Sequence, residues 1–184
     1  MRLYPLFLKL QGKKVVLVGG GAMAIARLPA LLDAGATVTV VAPEVRADIG
    51  PVRVLRRAFE PADLDGAWLA IAASTAAVNR QVYDAGMARR IFANSVDDPD
   101  TASAFAGGTF HRDGLSVSIS TEGQAPALAG LLREAFESIV PDDYAGWIET
   151  ARSLRSGWKA KGIPIPNRRP LLLEALNQRY EVKS

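Results

Sequence analysis

The chain has 184 residues, 22 Lys+Arg against 19 Asp+Glu for a formal charge of +3, and is 49% hydrophobic and 22% charged. Enough apolar side chain is present to build a core, which excludes disorder as the main state, and the length suits one large domain or a domain with a smaller appendage. The absence of cysteine excludes disulfides, thiolate chemistry and Cys-ligated zinc or iron–sulfur sites, and a single histidine, His111, excludes a multi-histidine site. No bound metal is therefore expected. No apolar run approaches the roughly 20 residues of a membrane span, and the opening MRLYPLFLKLQGKK lacks the long apolar region and cleavage site of a signal peptide. A cytoplasmic protein with no membrane partner is expected.

Along the chain, Lys14–Val18 is a short β-branched run that stops at Gly19-Gly20-Gly21, as a buried parallel strand does. Ala22–Asp33 has helical spacing, with Pro29 awkward inside it and Gly35 placed to close it. Thr37–Val41 is the second strand, Val52–Leu55 a more exposed third, Ala67–Ala72 a fourth and Ile91–Asn94 a fifth, with a helix over Ala76–Ala88. Strands and helices alternating in this way indicate a parallel sheet wrapped on both faces. After about residue 106 the pattern changes. Thr109–His111 and Leu115–Ser120 alternate apolar and polar about Arg112-Asp113-Gly114, which is a hairpin signal. Ala125–Ile139 is amphipathic with Pro126 in its first turn. Tyr144–Lys161 and Pro170–Tyr180 read as further helices, with a loop over Gly162–Asn167 between them. From Arg152 onward there are eight Lys/Arg and two acids, so the tail carries +6 and the remainder −3. Such a tail is either a solvated face or an attractor of anions. The fold class is α/β: a Rossmann-type parallel sheet, a small α/β region and a basic helical C-terminal piece.

Gly19-x-Gly21-x-x-Ala24 lies between strand and helix, where glycine permits a tight turn and lets backbone N–H groups approach a pyrophosphate. The ribose-binding acid of such sites falls at the end of the second strand. Here that point is Val41-Ala42, so a backbone contact near Pro43 and a carboxylate contact from Glu44 both fit, and the lack of a basic residue there favours NAD over NADP. Asn94-Ser95-Val96-Asp97-Asp98-Pro99 follows the fifth strand on the edge where open α/β sheets bind ligands. Asp97 or Asp98 could serve there as a general base; the plainer reading is an acidic turn that caps a helix. Ser120-Thr121-Glu122-Gly123 either caps the Pro126 helix or holds an anion. His111 reads as a structural histidine. The three tryptophans are too scattered for a stacking platform, so nucleic acid is not an expected partner.

In order and spacing, Tyr4-Pro5-Leu6-Phe7, Val16–Gly21, Leu32–Glu44, Trp68–Ala73 with Val78-Asn79, Asn94–Pro99 and Ile119–Ala129 resemble the precorrin-2 dehydrogenase/ferrochelatase module of siroheme synthase. The resemblance runs over about residues 4–145. It implies an NAD-binding Rossmann domain over residues 1–112, a dimerisation region over 113–145 and a helical domain over 146–184, assembled as a homodimer. It also implies NAD-dependent oxidation of precorrin-2 to sirohydrochlorin, followed in many members by insertion of Fe²⁺, which is then a substrate and not a bound cofactor. By the same resemblance Asp97 is the general base, and Gly19, Gly21, Ala22, Met23, Pro43 and Glu44 hold the cofactor. Asn94, Arg112, Ser120 and Thr121 then face the tetrapyrrole. The chain departs from the family pattern in three places: Ala26 replaces a basic residue, Phe105-Ala106-Gly107-Gly108 lacks a proline, and Glu122 stands where a glycine is usual. A second reading follows from these departures: a homologue that binds NAD or a tetrapyrrole, as sensor or carrier, without turnover.

Overall fold

The computed structural model describes residues 2–46, 49–96 and 98–181. Five strands, β1 (Lys14–Val18), β2 (Thr37–Val41), β3 (Arg53–Leu55), β4 (Leu69–Ala72) and β5 (Phe92–Ser95), form one all-parallel sheet in the order β3-β2-β1-β4-β5. The register is continuous across the centre, with Val18 opposite both Val41 and Ala72, so the strands end together along one carboxyl edge. The order reverses between β1 and β4, and that reversal opens a crevice above the two central strands.

Each central strand is buried on both faces, which explains its mostly apolar, β-branched sequence, with Thr39 the one buried polar residue among β1, β2 and β4. On one face Val15, Leu17, Val38, Val40, Leu69 and Ile71 pack against Ala24, Leu28 and Leu31 of α1 (Ala22–Asp33). On the other, Val16, Val18, Ala70 and Ala72 meet Val82 and Ala85 of α2 (Ala76–Arg89). Pro29 is tolerated inside α1 because it lies exposed and forfeits a single backbone bond. Gly35 adopts φ +75° and terminates α1 through Gly35 N–H to Leu32 O and Ala36 N–H to Leu31 O, the reciprocal pair of a Schellman motif.

A 3-10 turn, Pro61–Leu64, sits before β4 and holds the buried Asp63. The Asp63 carboxylate accepts from both terminal nitrogens of Arg57, at 2.9 Å from Nη1, and from the backbone N–H of Glu60 at 2.9 Å. Lys14 at the start of β1 donates to the carbonyls of Asp63 and Asp65, both at 2.8 Å. Burial alone would raise the Asp63 pKa. The Arg57 and Glu60 hydrogen bonds, with the charges of Arg57 and Lys14, outweigh that and hold it below the ordinary carboxylate value.

The chain divides into two compact units, residues 1–106 with 120–125, and residues 107–119 with 126–184. The second contains the hairpin β6 (Gly108–Arg112) and β7 (Leu115–Ile119), α3 (Pro126–Ile139), α4 (Tyr144–Ala160) and α5 (Ile165–Glu181). Phe110 is buried where the hairpin meets α3. Trp147 of α4 donates to the Tyr180 hydroxyl of α5 at 2.7 Å, and the Arg179 guanidinium lies against Gly146, where any Cβ would overlap it. The sequence predicts a loop over 162–167 and a helix from Pro170; instead α5 begins at Ile165. Pro166 falls in the first turn, where its missing N–H had no partner to lose, and Arg168 ties the start down by donating from Nε to Ile163 O at 2.9 Å.

Candidate functional site

The carboxyl edge of the sheet gathers most of the residues singled out from sequence. Gly19 leaves β1 at φ +129°, and a Cβ there would overlap the Ala73 carbonyl at the end of β4. A Cβ on Gly20 would overlap the carbonyl of Glu44, because the segment after β2 crosses directly over the turn and is pinned by Arg46 N–H to Gly20 O at 3.1 Å. These two glycines are therefore required by packing. Gly21 differs: its φ of −83° suits any residue, and a Cβ would meet nothing within 4 Å. Open space at Gly21 is the cradle that a bulky anion needs.

Gly21 is the N-cap of α1. Among the described residues no side chain caps this end, no acid lies in the first turn, and the first helical bond is Ile25 N–H to Gly21 O. The N–H groups of Ala22, Met23 and Ala24 precede that bond, so their donors and the positive end of the helix dipole face the crevice. Ala22 and Met23 are exposed beside them. Pro43 and Glu44, also exposed, stand at the end of β2 next to the glycine turn. A vacant helix N-terminus, an open glycine and an exposed acid at the second strand fit a dinucleotide with its pyrophosphate on α1 and a ribose near Glu44.

On the far side of β1, Asn94 in β5 donates from Nδ2 to Ala104 O at 2.9 Å, and Ser103 Oγ accepts from the Ala93 N–H at 2.9 Å, so residues 103–104 cover the sheet's edge strand. Ser95 is 7% exposed, and its hydroxyl has no hydrogen-bond partner among the described residues. Asp97 lies outside the described residues. Asp98 caps the 3-10 turn Pro99–Thr101: its carboxylate accepts from Asp100 N–H at 3.0 Å and from the Thr101 hydroxyl at 2.9 Å. The plainer reading of the acidic turn therefore describes Asp98.

The turn 120–125 belongs to the same unit, and Gly123 packs against Pro99 and Phe105. Ser120 Oγ accepts from Glu122 N–H at 3.1 Å and Thr121 Oγ1 from Ala125 N–H at 3.1 Å, so both hydroxyls shape the turn that precedes α3. Glu122 is held at φ +56°, a conformation that favours the glycine the resemblance places there. Arg112 lies in the other unit and donates to Val140 O at 2.6 Å, with Asp142 at 3.9 Å. His111 Nδ1 meets Ser116 Oγ at 2.9 Å across the hairpin, a structural pairing. Among the described residues no group of three or more His, Asp or Glu could hold a metal ion, and no helix is long and apolar enough to cross a membrane. The feature that sequence reasoning missed is the division of labour among the three glycines, which depends on where the 44–46 segment crosses.

Comparison with known proteins gives the same picture. Residues 6–108, more than half of the chain, match the family model described as "Putative NAD(P)-binding", and residues 112–139 match "Sirohaem biosynthesis protein central". The chain is 41% identical over 172 residues to siroheme synthase 3 of Aeromonas hydrophila, covering 90% of this chain and 37% of that protein. It is 38% identical over 187 residues to siroheme synthase 1 of Cronobacter sakazakii, covering 98% and 40%. The chain thus spans about two fifths of the length of these curated relatives. Among solved structures it resembles SirC, a precorrin-2 dehydrogenase, with a TM-score of 0.72 and 28% identity over 98% of this chain and 92% of that one. Joined to the glycine turn and the bare α1 N-terminus, these matches place the chain in the NAD(P)-binding family, in the form that carries the central region of sirohaem biosynthesis proteins.

Proposed function

We propose that this chain is an NAD-dependent precorrin-2 dehydrogenase, which removes two electrons and two protons' worth of hydrogen from the macrocycle to give sirohydrochlorin. The observation that carries the reading is the open Gly21 cradle at an uncapped α1 N-terminus, in a chain similar along nearly its whole length to SirC. Gly21, Ala22 and Met23 hold the pyrophosphate through backbone N–H groups, Gly19 shapes the turn, and Glu44, at the exposed Pro43 corner, accepts a ribose hydroxyl. A bare carboxylate at that corner repels an additional phosphate, which favours NAD over NADP. When bound, the nicotinamide takes the hydride; the protein supplies position and a proton acceptor.

Asp97 is the proton acceptor in this reading, the role that the family resemblance gives to the aspartate three positions after Asn94 in the sequence, and Asn94, Ser120 and Thr121 border the substrate. Arg112 is an electrostatic partner for the substrate's acids. In a chelatase step the same carboxylate would take one of the two protons that Fe²⁺ displaces from the pyrrole nitrogens and release it to water before taking the second; those nitrogens are themselves the metal's ligands. The outward face of α3 exposes Leu128, Leu131, Phe136 and Ile139 at helical spacing, which supports a homodimer formed through residues 113–145. A cytoplasmic location fits a soluble biosynthetic role.

The test is NADH formation with enzymatically generated precorrin-2, for the wild type and for Asp97→Ala, with NAD affinity measured separately. The expected result is turnover by the wild type and its loss in the variant while NAD binding is retained. A wild type that binds NAD but never turns over leaves the chain as a carrier or sensor and refutes the enzyme. Full activity in Asp97→Ala moves the base elsewhere.

A further inference from the structure

The carboxyl edge leaves the most strongly charged part of the chain without a role. Between Glu149 and Glu174 no acid occurs, while Arg152, Arg155, Lys159, Lys161, Arg168 and Arg169 do. Arg168 is committed to the Ile163 carbonyl. Arg152, Arg155 and Lys159 are exposed on α4 and form no ion pair or side-chain hydrogen bond among the described residues.

A helix advances about 100° per residue, so positions 152, 155 and 159 fall within an arc of about 60° and span roughly 10 Å of its axis. The half-buried face is a different one, made by Trp147, Ala151, Leu154 and Trp158, and α4 packs on α5. Like charges three and four residues apart repel one another. The stripe is thus a locally unfavourable arrangement that a polyanion would turn to advantage. A hollow of about 580 Å³ lies at its N-terminal end, with Ala145 and Ile148 as apolar lining and Arg152 in its wall. Asp113 and Glu149 also line that hollow, which makes it a poor seat for an acid; the stripe beyond it is the anion-binding element.

We propose that the Arg152–Arg155–Lys159 stripe of α4 captures the polycarboxylate substrate by its peripheral carboxylates. This rests on the dehydrogenase reading, under which the substrate is an octacarboxylate macrocycle. Three cations over roughly 10 Å match one side of a small polyanion, whereas a nucleic-acid duplex, with a charge about every 1.7 Å, engages a longer track. Exposed cations act at range, raising the encounter rate with an anion in a manner that salt screens.

The test replaces Arg152, Arg155 and Lys159 with Gln, singly and together, in the full chain. A control carrying Arg2→Gln, Arg53→Gln and Arg56→Gln removes the same charge from exposed positions elsewhere. Uroporphyrin, a fluorescent octacarboxylate, is titrated at low and high ionic strength, and kcat and KM for precorrin-2 are measured in parallel. At low salt the triple stripe variant is expected to bind uroporphyrin about tenfold more weakly and to lose a similar factor in kcat/KM, with kcat and the control shifted less than about twofold. The single variants are expected to lose graded shares, and the variant's salt dependence to flatten. Uroporphyrin affinity equal to wild type, an equal loss in the control, or duplex DNA binding through these residues in place of uroporphyrin would overturn the proposal. Stripe-dependent uroporphyrin capture without any precorrin-2 turnover refutes the dehydrogenase reading and leaves the polycarboxylate surface standing.

Discussion

Adding one methyl group at Gly21 should separate folding from cofactor binding. Because Gly21 has φ −83° and ψ 178° and open space around the Cβ direction, Gly21→Ala introduces neither strain nor overlap. Reduced freedom of the unfolded chain favours the variant by about 0.4–1 kcal/mol, while alanine is a poorer N-cap than glycine by roughly the same amount. The net change in stability should lie within about 0.5 kcal/mol, or about 2 °C in Tm for a chain of this size. The methyl group, however, occupies the space between the anion and the N–H groups of Ala22 and Met23. Losing one charge-assisted hydrogen bond removes about 1.5–3 kcal/mol, so Kd for NAD should rise about 10–100-fold. Gly20→Ala is the counterpart: its Cβ strikes the Glu44 carbonyl, and relieving the overlap should destabilise the free protein by about 1–3 kcal/mol. Calorimetric titration with NAD and thermal melts of the free proteins read the two quantities independently. An unchanged NAD affinity in Gly21→Ala, with the fold intact, would refute the assignment of this turn as the pyrophosphate cradle.

Asp63→Asn should lower stability by about 2 kcal/mol at neutral pH, because the buried carboxylate's charge-assisted bonds to Arg57 weaken. The folded Asp63 pKa is depressed, so its contribution is complete above the unfolded value near 4 and is lost as pH falls through the lower folded value. Acid titrations of stability should therefore be flatter below about pH 4 in the variant than in the wild type, and parallel curves would contradict the pairing. Glu122→Gly should raise stability by about 0.5–1 kcal/mol, since glycine holds the left-handed conformation without the side-chain penalty. A lower Tm in that variant would show that the Glu122 side chain contributes more than its backbone conformation costs.

Much of this architecture is legible in sequence because parallel strands buried on both faces are dominated by apolar and β-branched residues: Val15–Val18 is an unbroken apolar run, and Val38–Val41 is three valines with the buried Thr39 among them. Gly35 announces the end of α1 for an equally local reason: its positive φ is one that glycine adopts without strain. The start of α5 is hidden because Pro164 and Pro166 read as loop residues and Pro170 as the first residue of a helix, and only the structure shows Pro166 in the first turn and Pro170 inside the helix. The 3-10 turn at Pro61–Leu64 has no periodicity to detect; its order comes from Arg57, Lys14 and the buried Asp63 meeting across the fold. At the site, the glycine spacing was visible, but its meaning was not. Gly19 and Gly20 are fixed by the Ala73 and Glu44 carbonyls, and Gly21 by the absence of any neighbour, facts that depend on chain segments distant in sequence.

The assignment of residues 120–125 to the first unit, with both flanking segments in the second, makes the polypeptide switch units three times between residues 106 and 126. A gene cut after codon 106 would therefore encode a dinucleotide-binding half without the turn whose Gly123 packs on Pro99 and Phe105. The two units behave as an interlaced inheritance: recombination could exchange them as a pair far more readily than singly, and a fusion partner is best grafted at an outer end of the chain.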